Sequence, residues 1–252
     1  MKKRLLVTML SMVVALGAVG CSQAPLEPAK NISEAEEAPE KEPESKEIED
    51  TDEEATEETS KAKDDSASGE FTSGVIKGNS YENDFFNIKV TLDDNFTFAS
   101  DEELKDLNGS LGDMDSIKDN EMAKKAVDDG AVMAVAFATD LSNGSTFNVT
   151  IQSVGSIVGA LVDEKTVLEQ GKQSAIDALE AQGFTDVTAE IENFTFLGEE
   201  HPTIVMKGSV QGIPVHERSV CLIKGGYISL YSVLGLDADS SDAILTNAEK
   251  LN

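Results

Sequence analysis

The sequence predicts an α+β fold: a mainly antiparallel sheet of about six or seven strands with two larger helices packed on it, preceded by a disordered acidic tether. Three observations carry this. Every Phe and Tyr lies at or after Phe71, while Pro25, Pro28, Pro39 and Pro43 all precede residue 45. A core is therefore confined to the last ~180 residues, a common size for one domain. Second, the later strand-like runs are separated by very short breaks, which join antiparallel neighbours. Third, strands and helices come in blocks, without the strict alternation of a parallel sheet.

The first elements are an address. Met1-Lys2-Lys3-Arg4 is a basic start, Leu5 to Val14 is mostly apolar, and Ala15 to Gly20 is mostly small. The apolar run is short of the ~20 residues that a spanning helix needs. Residues 1–20 therefore read as a signal peptide, cleaved after Gly20. Ala18-Val19-Gly20-Cys21 resembles the lipobox of bacterial lipoproteins, with Ala18 where Leu is commonest. That resemblance implies diacylglycerol on the Cys21 thiol and an acyl (palmitate-type) anchor to the cell membrane. Ordinary secretion is the other reading of the same small residues. Two acyl chains hold a protein on a membrane where one does not.

Residues 22–70 carry 18 acids and 5 lysines, and the only large apolar residue between Ile32 and Phe71 is Ile48. Nothing there offsets the entropy of ordering, so a disordered linker is expected over residues 21–75. At about 50 residues it would span roughly 40 Å, more when self-repelling. The folded domain is expected over residues 76–252.

Within that domain, Phe85 to Leu92 reads as a strand, resumed at Phe96 to Phe98 after the turn Asp93-Asp94-Asn95. Ser100 with Glu103 three residues on is a capping box for a short helix ending near Leu107. Asn108 to Asn120 reads as a polar loop, and Glu121 to Asp129 as a helix stopped by Gly130. Ala131 to Thr139 and Thr146 to Gln152 form a hairpin pair. The longest helix runs from Asp163 to Gln182, with Val167, Leu168, Gly171, Ala175, Ala178 and Leu179 on one stripe. Four strands follow, Phe184–Phe196, Thr203–Val210, Val215–Ile223 and Tyr227–Leu234. Their breaks are Glu199 to Pro202, Gly212 to Pro214 and Lys224 to Gly226. A final helix, about Ser240 to Leu251, buries Ile244, Leu245, Ala248 and Leu251.

This succession of long helix, antiparallel meander with a Gly-Gly hairpin, and C-terminal helix resembles the PsbP/Mog1-like fold. The run Tyr81 to Leu92, followed by Phe96 to Leu104, resembles the opening of uncharacterised Gram-positive, clostridial-type lipoproteins. The likeness covers about residues 78–252. It implies a domain of the kind associated with protein docking and, in some members, metal ions. No ligand set stands here to carry over.

Several motifs fail on spacing. His216-Glu217-Arg218-Ser219-Val220 begins like a zinc-protease helix but lacks a second His four residues on, and it sits in a strand. His201, before Pro202, reads as an exposed turn residue. Asp106, Asn108 and Ser110 copy a calcium loop until Leu111 stands at the Gly position and Ile117 at the Glu position. Gly155-Ser156-Ile157-Val158-Gly159 is not a nucleophile elbow, which needs Ser central between glycines. The stretch Val154 to Val162 is nonetheless unusual, an apolar, glycine-bearing link between a strand and the long helix. It either tucks into the core or offers a partner surface made of Gly155, Ile157, Val158, Gly159 and Leu161. Cys221, left without a partner once Cys21 is lipidated, reads as a small buried hydrophobe.

The sequence thus assigns no catalytic residue, no metal ligands and no cofactor. The net charge of −28 opposes nucleic acid and anionic lipid. The expected function is a monomeric, extracytoplasmic, lipid-anchored, non-enzymatic binding or protein-interaction module of the cell envelope. It would be held to the membrane through Cys21 and would serve an envelope protein partner. A cell-envelope hydrolase using carboxylates such as Asp93 or Asp94 is the rival expectation, and a small solute-binding lipoprotein the third.

Overall fold

The structure, a computed structural model, describes residues 71–112 and 121–251. Gly20, Cys21, the acidic linker up to residue 70 and the later half of the acidic loop at 106–120 lie outside the described residues. The described chain is α+β, as the sequence predicts. A three-stranded sheet has the order β1-β2-β3, built from β1 (Val75–Lys77), β2 (Ser80–Asn83) and β3 (Ile88–Thr91). A seven-stranded antiparallel sheet has the order β4-β5-β6-β10-β9-β8-β7. Its strands are β4 (Phe96–Phe98), β5 (Val132–Asp140), β6 (Thr146–Ser153), β7 (Phe184–Phe196), β8 (Glu199–Val210), β9 (Ile213–Lys224) and β10 (Tyr227–Gly235). The helices are α1 (Asp101–Leu111), α2 (Glu121–Asp128), α3 (Ser156–Leu161), α4 (Glu164–Ala181) and α5 (Ala238–Thr246).

The meander β7 to β10 is set by its turns. Leu197-Gly198, Gln211-Gly212 and Gly225-Gly226 each place two successive residues at positive φ. Two left-handed residues in a row make the tight hairpin turn whose twist matches paired strands. The break after β7 is therefore Leu197-Gly198, and Glu199 to Pro202 belong to β8. The sequence places this break over Glu199 to Pro202, where the proline argues for a turn. Here it occupies a strand position paired with Asn193.

Alternation along the strands divides the core. Phe147, Val149, Ile151, Val220, Leu222, Tyr231 and Val233 face the small sheet and α5, with Tyr81, Ile88, Val90 and Leu245. Ile204, Met206, Cys221, Ile228, Leu230 and Leu234 face α4, which contributes Val167, Leu168, Ala175 and Leu179. Ala178 and Gly171 are buried on the same stripe, as its small-residue pattern predicts. Leu104, Leu107 and Leu111 of α1 cover Val132, Ala134 and Phe137 of β5.

Caps follow local chemistry. Ser100 and Glu103 form the reciprocal capping box of α1, and Asp163 accepts the Thr166 amide at 2.8 Å to start α4. α1 runs one turn past Leu107, because Leu111 continues the apolar stripe and is fully buried. Asn108 is correspondingly no loop residue. Its amide pairs with the main chain of Ala134, accepting from the N–H at 2.7 Å and donating to the carbonyl at 2.9 Å. Ala134 borders a bulge in β5, where the ladder to β6 shifts register. A side-chain amide there replaces a missing strand neighbour.

Three further differences concern the ends. Phe85 and Phe86 are buried but lie in the turn before β3, outside any strand. The C-terminal helix stops at Thr246, and the tail pairs as a strand instead, with Glu249 bridging Lys89 through two 2.8 Å bonds. Packing also begins earlier than residue 76. Phe71 stacks on Tyr227 at 3.9 Å, and Tyr81 and Asn83 donate to the Ser73 and Thr72 carbonyls.

Candidate functional site

The link Val154 to Val162 forms α3, and its seating is a backbone-to-backbone contact. Gly155 has φ 76 and Gly226, in the β9–β10 turn, has φ 86, both in the left-handed region. A Cβ on Gly159 would lie 2.8 Å from the Gly226 Cα. A Cβ on Gly226 would lie 2.7 Å from the Gly155 carbonyl carbon and the Ser156 nitrogen. Glycine is required on both sides. The Val154 and Gly155 amides both donate to the Gly226 carbonyl, at 2.9 and 3.1 Å. The main chain of the segment is thus tucked in, while two of its apolar side chains point out. Val158 is 40 % and Leu161 80 % exposed. Ile157 belongs to α3 by its main chain.

Beside α3 an open cleft of about 530 Å³ is lined by Gly159, Val162, Asp163, Glu164, Lys165, Asn193, Pro202 and Ile223. Its walls mix an apolar strip with the charged first turn of α4. Glu164 is tied to His201 of β8, 2.9 Å from carboxylate oxygen to Nδ1. That hydrogen bond raises the imidazole pKa against the opposing effect of burial, with the Glu164 and Glu199 charges adding to it. His201 is accordingly half-buried in a strand and partnered, not the exposed turn residue that the sequence predicts. Glu199 is in turn bridged to Lys250 at 2.6 Å, which ties the C-terminal tail to the start of β8.

The other sequence candidates fall apart from this cleft. Cys221 is fully buried in β9, and burial pushes its thiol pKa well up, with the Glu164 charge adding to the shift. It behaves as the buried hydrophobe that the sequence implies. Asp93 and Asp94 accept from the Asn95 amide and the Asn79 side chain at 3.0 and 2.9 Å, as turn residues do. Asn108 is committed to Ala134, and the Ser110 hydroxyl donates to the Leu107 carbonyl. His216 is buried in β9, and burial lowers its pKa. Among the described residues no three His, Cys, Asp or Glu side chains are grouped as a metal would need. No helix among them is long and apolar enough to cross a membrane.

No protein-family model matches the chain, and no curated protein matches it in sequence. Among solved structures, LpqN of Mycobacterium tuberculosis, described as involved in cell envelope biogenesis, is 11 % identical with a TM-score of 0.36. The match covers 66 % of this chain and 83 % of that one. A likeness at this level carries no argument about function.

Proposed function

We propose that this chain is an extracytoplasmic lipoprotein, anchored through Cys21, whose PsbP/Mog1-like domain is a non-enzymatic docking module for an envelope protein. The observation that carries the docking part is Leu161. It is an 80 % exposed leucine, joined by Val158, on a helix whose main chain is fixed by glycine contacts. An apolar residue on a loose segment needs its main chain ordered on binding, whereas this main chain is already seated. The first described residue, Phe71, stacks on Tyr227 beside the same β9–β10 turn. The chain therefore enters the domain at the end that carries α3. The sequence of residues 1–21 supports the anchor, and residues 22–70 supply reach.

Photo-crosslinking from position 161 in intact cells tests the surface. A discrete protein adduct that Val158→Asp abolishes supports the reading. An adduct pattern indifferent to position 158 overturns it. Cys21→Ala should release the protein from membranes and abolish fatty-acid labelling; continued labelling removes the anchor. A hydrolase reading finds some support in the Glu164–His201 pair, since an oriented imidazole is a base. The described lining of the cleft offers that imidazole no hydroxyl or thiol to activate.

A further inference from the structure

The large sheet ends on β7, and that edge is long. β7 has 13 residues, whereas β4 at the opposite edge has three. β8 occupies one side of β7 in an unbroken ladder from Thr188 to Phe196, beyond a bulge after Thr185. In an antiparallel ladder every second residue of an edge strand turns its amide and carbonyl away from the neighbour. Among the described residues, no main-chain hydrogen bond from another element reaches the outer side of residues 188–196. Edges are ordinarily blunted by brevity, proline, lysine, a bulge or a covering segment. Residues 188–196 contain no proline, no lysine and no bulge. They carry acid instead, at Glu190 and Glu192.

The two faces of this strand differ. Ala189 and Ile191 belong to the core under α4, the first buried and the second half-buried. Asn193, next on the same face, lines the open cleft with Val162, Pro202 and Ile223. Glu190 and Glu192 lie on the other face, and both are exposed. Arg218 is 3.6 Å from Glu192, but the same guanidinium holds Asp242 through two bonds. Lys207 stands opposite Thr188, at the start of the stretch. The wider field is negative as well, because residues 71–252 hold 30 acids and 12 bases.

We propose that the β7 edge binds an extended segment of a partner protein with Lys or Arg at alternate positions and apolar residues between them. The segment is roughly six residues long, the usual length of a strand. It adds to the sheet as a further strand, and its main chain pairs with the outward amides and carbonyls of β7. Its cations stand across from Glu190 and Glu192, where opposite charges on neighbouring strands attract. Its apolar side chains fall on the other face, against Ile191 and towards the cleft at Asn193. A second copy of this chain is a poor occupant. An antiparallel pair of β7 strands centred on Ile191 sets Glu190 of each copy against Glu192 of the other, and like charges directly opposite destabilise. The chain's own linker, with 18 acids and 5 lysines over residues 22–70, is repelled by the same carboxylates. This edge does not rest on the α3 docking proposal, although both surfaces border the cleft.

The test uses the full chain carrying Cys21→Ser and the peptide acetyl-Lys-Val-Lys-Val-Lys-Val-Lys-amide. Calorimetry reads binding, and hydrogen exchange resolved amide by amide reads its place. Alternate amides within residues 188–196 should become protected when the peptide is added. Two N-methylated peptides of the same charge separate strand pairing from charge attraction. Methyl groups on the lysine nitrogens block one edge of the extended peptide, and methyl groups on the valine nitrogens block the other. One of the two should bind at least about tenfold more weakly than the parent peptide, as when a main-chain hydrogen bond or more is lost, and the other should bind like it. Glu190→Lys, an exposed change, should melt like the parent protein and weaken the unmethylated peptide about fivefold, the reversal of one cross-strand charge pair. The proposal falls if the peptide does not bind, if Glu190→Lys binds it as the parent does, or if both methylated forms bind equally. It also falls if protection lies outside residues 188–196. Protection of these residues without peptide, in a chain that sediments as a dimer, gives the edge to a second copy and overturns the occupant named here.

Discussion

Arg218 is a nearly buried charge that ties a helix to the sheet, and removing its partner should cost more than removing Arg218 itself. The guanidinium is 8 % exposed. It donates from Nε to Asp242 at 2.6 Å, from Nη2 to the same carboxylate at 3.2 Å, and from Nη1 to the Thr203 hydroxyl at 3.0 Å. It also lies 4.7 Å above the Phe194 ring, with Glu192 3.6 Å away. Asp242 is on α5, so this pair joins the helix to the sheet. Asp242→Ala strands the arginine, and a buried charge left unpaired costs about 3–5 kcal/mol. Asp242 is itself 32 % exposed, and Glu192 remains, so the lower end applies. About 3 kcal/mol in a domain of this size is a fall of roughly 6–12 °C in Tm. Arg218→Met removes the charge and keeps an unbranched stem against Phe194, and its carboxylate partner regains water. About 1–2 kcal/mol is expected, as for an ordinary buried substitution. The double variant should therefore be more stable than Asp242→Ala alone. Thermal melts followed by circular dichroism decide it. Asp242→Ala melting within ~1 °C of the parent, or the double variant melting below both singles, would refute the reasoning.

Three other outcomes follow from the packing and titration. Ala175 is fully buried in the small-residue stripe of α4, so Ala175→Leu should overpack it by roughly 1–3 kcal/mol, while Glu169→Leu and Gln173→Leu on the exposed faces melt close to the parent. A chain beginning at Gly74 loses the Phe71–Tyr227 stack and the carbonyls bonded to Tyr81 and Asn83. Its Tm should drop by several degrees against one beginning near residue 67, and equal melts would make Phe71 dispensable. His201 has a raised pKa, so its stabilisation is complete below about pH 6.5 and is lost as pH rises through the higher folded value. His216, with a lowered pKa, has the opposite effect and loses stability as pH falls from about 6.5. His201→Gln and Glu164→Gln should each lower Tm below about pH 6.5, where the pair's stabilisation is complete, and so flatten the loss of Tm as pH rises above it; an unchanged profile means that the pair contributes nothing.

How much was legible depended on whether the cause was local. The capping box at Ser100, the stop at Gly130 and the apolar stripe of α4 are each written within a few residues, and each is where the sequence puts it. Pro202 shows the limit. Proline argues for a turn, but the tight turn belongs to Leu197-Gly198, where glycine's freedom outweighs the rare left-handed leucine. Asn108 shows another. A single Asn after an apolar residue reads as loop, yet its role is set by a bulge 26 residues away that nothing nearby announces. The site divides in the same way. Gly155 and Gly159 stand out in an apolar link, but their reason is Gly226, which reads in isolation as an ordinary hairpin glycine. The sequence carries one further pattern: Thr146, Asn148, Thr150 and Gln152 alternate with Phe147, Val149 and Ile151 as a half-exposed strand would. That inference assumes an outer face in water. The strand instead lies between two paired neighbours, along the seam of two helix-covered clusters, so the same alternation places four polar side chains in the interior. A period-two pattern fixes which residues share a face and is silent on what covers it.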